Sequence, residues 1–113
     1  MPFIHVSTNV SVSAECAEEI KTGLGSAIKL IPGKSEQWLM AEIEGDKTMY
    51  FQGDSRPAAI AQVSLYGDAP ESALSTLTLK LTMLLTASLA VSSDRIYISY
   101  QTTPYWGWNG SNF

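Results

Sequence analysis

The chain has little cysteine, little histidine and little charge. Of its 113 residues one is Cys and one is His, and charged residues make up 16%. A lone Cys16 forms no intramolecular disulfide, no CxxC redox pair and no zinc-type cluster, so a reducing compartment is the expected setting. His5 is equally alone, mid-strand and without a carboxylate companion in any recognised motif. It is expected to be a packed strand histidine, and no metal site is expected. Seven basic residues stand against eleven acidic ones, for a net charge of −4. The seven (Lys21, Lys29, Lys34, Lys47, Arg56, Lys80, Arg95) are scattered, which excludes the basic footprint of a nucleic-acid binder. The opening MPFIHVSTNV has neither a basic flank nor a long apolar run, so no signal peptide is expected. Only Ala73–Val91 is apolar over a membrane length, and Lys80 near its middle would cost about 2.5–3.5 kcal/mol there. A core helix is expected in that place, and no membrane partner.

What the chain does have is enough apolar material for one core. Hydrophobic residues make up 45%, and the length fits a single domain over residues 1–113. Phe3–Thr8 alternates as a strand, with Phe3, His5 and Ser7 on one face and Ile4, Val6 and Thr8 on the other. Ser13 is a plausible helix N-cap, Glu15 suits the first turn, and Cys16, Ile20, Leu24, Ala27, Ile28 and Ile31 recur at helical spacing. Pro32-Gly33 stops that helix. Gly23 and Gly25 weaken it by roughly 1 kcal/mol each, which points to close packing at those positions. Trp38–Glu44 alternates again, Met49–Gln52 reads as a short strand, and Ala58–Tyr66 as a central one. Ser72–Val91 fits both periods. Its length and the Pro70-Glu71 start favour a helix. Ile96–Gln101 is a strand, and Pro104–Phe113 a Gly- and Trp-rich tail.

The order is therefore β-α-β, a short strand, and β-α-β again. Each crossover makes its two strands parallel. Two such units side by side predict a mixed α/β (α+β) fold, a four-stranded sheet with both helices on one face. The other face is left open, and the apolar strands predict that another subunit covers it.

Four segments are similar to one known family. Met1-Pro2-Phe3-Ile4, Pro32-Gly33-Lys34, Asp94-Arg95-Ile96-Tyr97-Ile98-Ser99-Tyr100 and the closing Trp106-Gly107-Trp108-Asn109-Gly110-Ser111-Asn112-Phe113 resemble the macrophage migration inhibitory factor family of the tautomerase superfamily. Their order and spacing agree from end to end. The resemblance implies a homotrimer whose three sheets form an inner barrel. It implies an active site at each subunit boundary, built around an amino-terminal proline and needing no cofactor.

Carried onto this sequence, the resemblance makes Pro2 the catalytic base and acid once Met1 is removed. A free terminal amine ordinarily titrates near pKa 7.7–8.0, and burial or a nearby cation lowers that value. If Met1 stays, the Pro2 nitrogen is an amide with no basicity. Lys34 would hold the anionic end of the substrate, and Tyr66, Tyr97, Ser99 and Trp106 would contact the rest. Tyr66 stands where isoleucine is usual, and its role runs through the backbone N–H, which any side chain except proline keeps. Ser99 replaces a usual asparagine and lacks its amide. Trp38 matches a tyrosine position and Trp106 a valine, so the rim is more aromatic. The family's CxxC falls at Ala58-Ala59-Ile60-Ala61, so that thiol chemistry is absent. The expected substrate is a keto/enol acid of the phenylpyruvate type. The alternative is a cytokine-like or host-modulating protein with a protein receptor and vestigial catalysis. A cytoplasmic location is expected, with secretion by a route that uses no signal peptide as the other one.

Overall fold

The computed structural model describes residues 1–113. Strand β1 (Pro2–Thr8) buries Ile4, Val6 and Thr8 completely and leaves Phe3, His5 and Ser7 on the opposite face. The one polar side chain on its inner face is satisfied, since Thr8 Oγ1 donates to the Ala58 carbonyl at 2.8 Å. Helix α1 (Ala14–Ala27) starts where Ser13 Oγ accepts the Cys16 N–H at 3.1 Å, with Glu15 in its first turn. Replacing Ser13 by alanine orphans that N–H. A loss of about 1 kcal/mol in chemical denaturation is expected, with the fold unchanged. The helix tightens into a 3₁₀ turn over Ile28–Leu30. A β-turn follows, in which the Lys34 N–H donates to the Ile31 carbonyl. Pro32 and Gly33 occupy its centre, and Gly33 has φ +80°, the conformation a type II turn reserves for glycine.

Strand β2 (Met40–Glu44) begins two residues later than the alternation of Trp38–Glu44 predicts, because Glu36–Trp38 forms a 3₁₀ turn. The expected strand at Met49–Gln52 does not form. Phe51 pairs only with Asp54, across a tight turn in which Gln52 and Gly53 both have positive φ. The segment therefore has no strand beside it. Strand β3 (Ala59–Tyr66), helix α2 (Glu71–Leu89) and strand β4 (Ile96–Thr103) complete the second unit. The ambiguous segment is thus helical. Its Leu77, Leu81, Leu85 and Leu89 form one buried stripe at i, i+4 spacing. By length and composition α2 could cross a membrane, but this stripe packs in the core with the sheet and α1.

The sheet order is β2-β1-β3-β4, with β1–β2 and β3–β4 parallel and β1–β3 antiparallel. This is the doubled β-α-β arrangement, with the core between the sheet and the two helices. The two glycines of α1 are close contacts: a Cβ at Gly23 would strike the Leu84 methyls, and one at Gly25 the Glu36 carboxylate. The tail is more ordered than its composition implies. Gly107–Trp108 (β5) and Ser111–Asn112 (β6) pair across Asn109-Gly110, both at positive φ as a two-residue hairpin turn requires.

The open sheet face is less apolar than the strand compositions imply. Register aligns Glu42, His5, Gln62 and Ser99 in a row across all four strands. The flanking rows are mixed, Met40, Phe3, Ser64 and Gln101 on one side and Glu44, Ser7, Ile60 and Tyr97 on the other. A subunit covering this face would meet a polar middle row between rows that are half apolar.

Candidate active site

Pro2 opens β1, is buried, and pairs in register with Leu65 of β3. Beside it lies a hollow of about 360 Å³ lined by Met1, Pro2, Phe3, Gln37, Trp38, Leu39, Met40, Trp106, Gly107 and Trp108. Three separate stretches meet there. The chain start comes from β1, Trp38 from the 3₁₀ turn before β2, and the tryptophans from the C-terminal hairpin.

The Pro32-Gly33 turn sends Lys34 back toward the end of β3. Its Nζ donates to the Tyr66 carbonyl at 2.7 Å and lies 5.9 Å from the centre of the Tyr66 ring. The Tyr66 N–H in turn donates to the Met1 carbonyl at 3.1 Å. Lys34 also acts on the chain terminus. The Met1 amine, which ends the chain in this structure, is held below its ordinary pKa, first by burial, then by the Lys34 charge and a hydrogen bond to Lys34. Desolvation and a neighbouring cation both disfavour the protonated amine, so the free base is favoured at this end of the chain.

Trp38 and Trp108, which line the hollow, continue into a run of aromatic contacts beside it. Trp38 meets Trp108 edge-on at 5.1 Å, Trp108 stacks on Phe113 at 6.4 Å, and Phe113 tilts against Tyr66 at 5.4 Å. Pro2, Lys34, Tyr66 and Trp106 therefore gather around one end of the sheet. Tyr97 and Ser99 do not join them within one chain. Tyr97 sits edge-on to Phe51 at 5.1 Å, and Ser99 lies beside Gln62 on the open face. Trp108 and Phe113 had no assigned role in the sequence reading. Their signal was present in Asn109-Gly110, a hairpin turn that folds both rings back over the site.

The family model for macrophage migration inhibitory factor matches residues 1–113. The chain belongs to the macrophage migration inhibitory factor family. It is 33% identical to macrophage migration inhibitory factor of Meriones unguiculatus over 115 residues, covering 100% of this chain and 99% of that protein. The crystal structure of Leishmania major MIF2 superposes with a TM-score of 0.94 at 28% identity, covering 100% of this chain and 97% of that one. A homologue from Prochlorococcus marinus gives 0.83 at 26% identity, with 98% of each chain covered. Macrophage migration inhibitory factor membership carries a tautomerase or cytokine-like role, small-molecule binding and oligomer formation in general terms.

One expectation for this macrophage migration inhibitory factor homologue changes. His5 is not a packed, companionless histidine. Its Nε2 lies 2.6 Å from Glu44 Oε1 and 3.8 Å from Glu42 Oε1, and a cluster able to hold a metal ion forms where none was expected. The parallel register of β1 on β2 makes His5 and Glu42 neighbours across 37 positions, a pairing that no short spacing motif encodes. Glu44 is also held below the usual carboxylate range, chiefly by its hydrogen bond to Lys47 and then by that to His5.

Proposed function

We propose that this chain is a cofactor-independent keto–enol tautomerase of phenylpyruvate-type 2-keto acids, with the Pro2 amine as base and acid after Met1 removal. The observation that carries the reading is Lys34 beside the chain start, where burial and the Lys34 charge hold the Met1 amine low and would act in the same sense on a Pro2 amine freed by Met1 removal. With Met1 gone, the terminal nitrogen moves to Pro2, buried at the start of β1. As free base it takes the proton from the carbon beside the substrate carbonyl while the oxygen gains one. Returning a proton to that carbon completes the reverse reaction. Lys34 holds the carboxylate. The Tyr66 N–H, occupied by the Met1 carbonyl when Met1 is present, becomes a donor for a substrate oxygen. The aromatic rings form a dry slot for a flat side chain.

The reading includes a homotrimer with its sites at subunit boundaries. Such an assembly would let Tyr97 and Ser99 of a neighbouring subunit contact the substrate that Pro2 and Lys34 hold. The polar row on the open face suits a hydrated centre. The test is enol-to-keto conversion of phenylpyruvate by protein whose mass shows that it begins at Pro2. Turnover well above buffer supports the assignment, and none with a free Pro2 overturns it in favour of a cytokine-like role.

Lys34 gives a second check through pH. A base with a lowered pKa stays unprotonated further into acid. The acidic limb of kcat/KM should therefore fall below the ordinary terminal-amine range of about 7.7–8.0. Lys34→Ala removes the cation beside the chain start, so the limb should move to higher pH and KM should rise. An unmoved limb with a raised KM would confine Lys34 to substrate binding.

A further inference from the structure

We propose that His5, Glu42 and Glu44 form a binding site for one divalent transition-metal ion, of the zinc class, on the open face of the sheet. The three candidate ligand atoms, one from each side chain, lie within 4.8 Å of one another. Ligand atoms around a tetrahedral ion with bonds of about 2.0–2.2 Å stand roughly 3.4 Å apart. The 3.8 Å between Nε2 and Glu42 Oε1 is already close to that, and the 2.6 Å to Glu44 Oε1 must open by less than 1 Å. Both glutamates are partly exposed, and Glu44 can open that distance at Oε1 while its Oε2 stays with Lys47.

The backbone beneath them is rigid. His5 lies on β1, an inner strand paired on both sides, and its Cα partner on β2 is Glu42. Glu44, two residues on, returns to the same face beside Ser7. Surrounding groups supply an outer shell. Lys47 Nζ sits 2.5 Å from Glu44 Oε2, which leaves Oε1 turned to the site, while Ser7 Oγ, 3.2 Å from His5 Nε2, would give up that contact to the ion. Such outer partners orient ligands, and losing one commonly weakens metal affinity by about 10–100-fold. Ion choice follows from the donors. One imidazole and two carboxylates favour Zn²⁺, Co²⁺ or Ni²⁺, whereas Mg²⁺ and Ca²⁺ seek all-oxygen shells of six or more. Three protein ligands leave the fourth position to water or a small anion. On metal binding Nε2 gives up any proton it carries, which moves to Nδ1 or to solvent.

The site is independent of the tautomerase reading, because His5 is three residues along β1 from Pro2, about 10 Å at strand rise. The experiment is isothermal titration of the full chain with Zn²⁺ at neutral pH in a non-chelating buffer, repeated with Mg²⁺. Visible absorption of the Co²⁺ form provides a second readout. The expected result is one Zn²⁺ per chain, no Mg²⁺ heat, and at least a tenfold loss of affinity in His5→Asn. Glu42→Gln lies on an exposed side chain and should show the same loss in a protein whose circular dichroism is unchanged. Absence of Zn²⁺ binding, or binding that survives both substitutions, would overturn the site.

Discussion

Pro2→Gly, in protein that begins at residue 2, is expected to lower phenylpyruvate turnover by about 10²-fold, the lower end of what a positioned general base is worth, because a primary amine remains. The glycine chain still ends in an amine close to Lys34, so the loss reports the secondary amine and the rigid ring that aims it. Pro2 is buried at the point where β1 pairs with β3, and a flexible glycine cannot hold the nitrogen there as firmly. A sample that retains Met1 should fall further, to the buffer rate. Its residue 2 nitrogen is an amide, and its Met1 carbonyl occupies the Tyr66 N–H at 3.1 Å. Stopped assays on mass-verified samples separate the cases. If Pro2→Gly and the Met1-retaining protein both turn over as fast as protein with a free Pro2, the amine is not the base.

The second large effect concerns stability. Leu81→Ala should destabilise the chain by about 2–5 kcal/mol, because the side chain is fully buried on α2 within the main core. Both neighbours on its stripe, Leu77 and Leu85, are also fully buried, so surrounding side chains have little room to collapse into the space. At roughly 4 °C per kcal/mol the midpoint should drop by about 8–20 °C. Differential scanning calorimetry at matched protein concentration would measure it, since an oligomer's midpoint depends on concentration. Leu79→Ala is the control. That residue is 62% exposed on the opposite side of the helix and should change little. Equal losses at both positions would mean that the outer face of α2 is covered as well.

Much of this fold could be read along the chain, and for a definite reason. Alternation in β1 and β3 and the three-and-four spacing in α1 are local consequences of burying one face, so they survive without knowledge of neighbours. The Leu-rich segment defeated periodicity because Leu77, Leu79, Leu81 and Met83 alternate while Leu77, Leu81 and Leu85 also fall at helical spacing. Length settled it in favour of the helix that the structure contains. Met49–Gln52 misled in the opposite way. A strand needs a partner, and the turn at Gln52-Gly53 folds that segment back on Asp54.

For the site, the motifs at the chain start, at Pro32-Gly33-Lys34 and at the closing WGWNGSNF identified which residues to watch. The family resemblance carried that much, since a proline at position 2 or a lysine after a Pro-Gly turn assigns no role by itself. Three-dimensional structure alone set Lys34 Nζ on the Tyr66 carbonyl, brought Trp108 to the hollow with Phe113 between it and Tyr66, and left Tyr97 and Ser99 away from it. It also placed Glu42 and Glu44 at His5. Periodicity reports which face of an element a residue occupies. Register between strands distant in sequence decides which side chains meet, and it emerges only when the whole sheet packs on its helices.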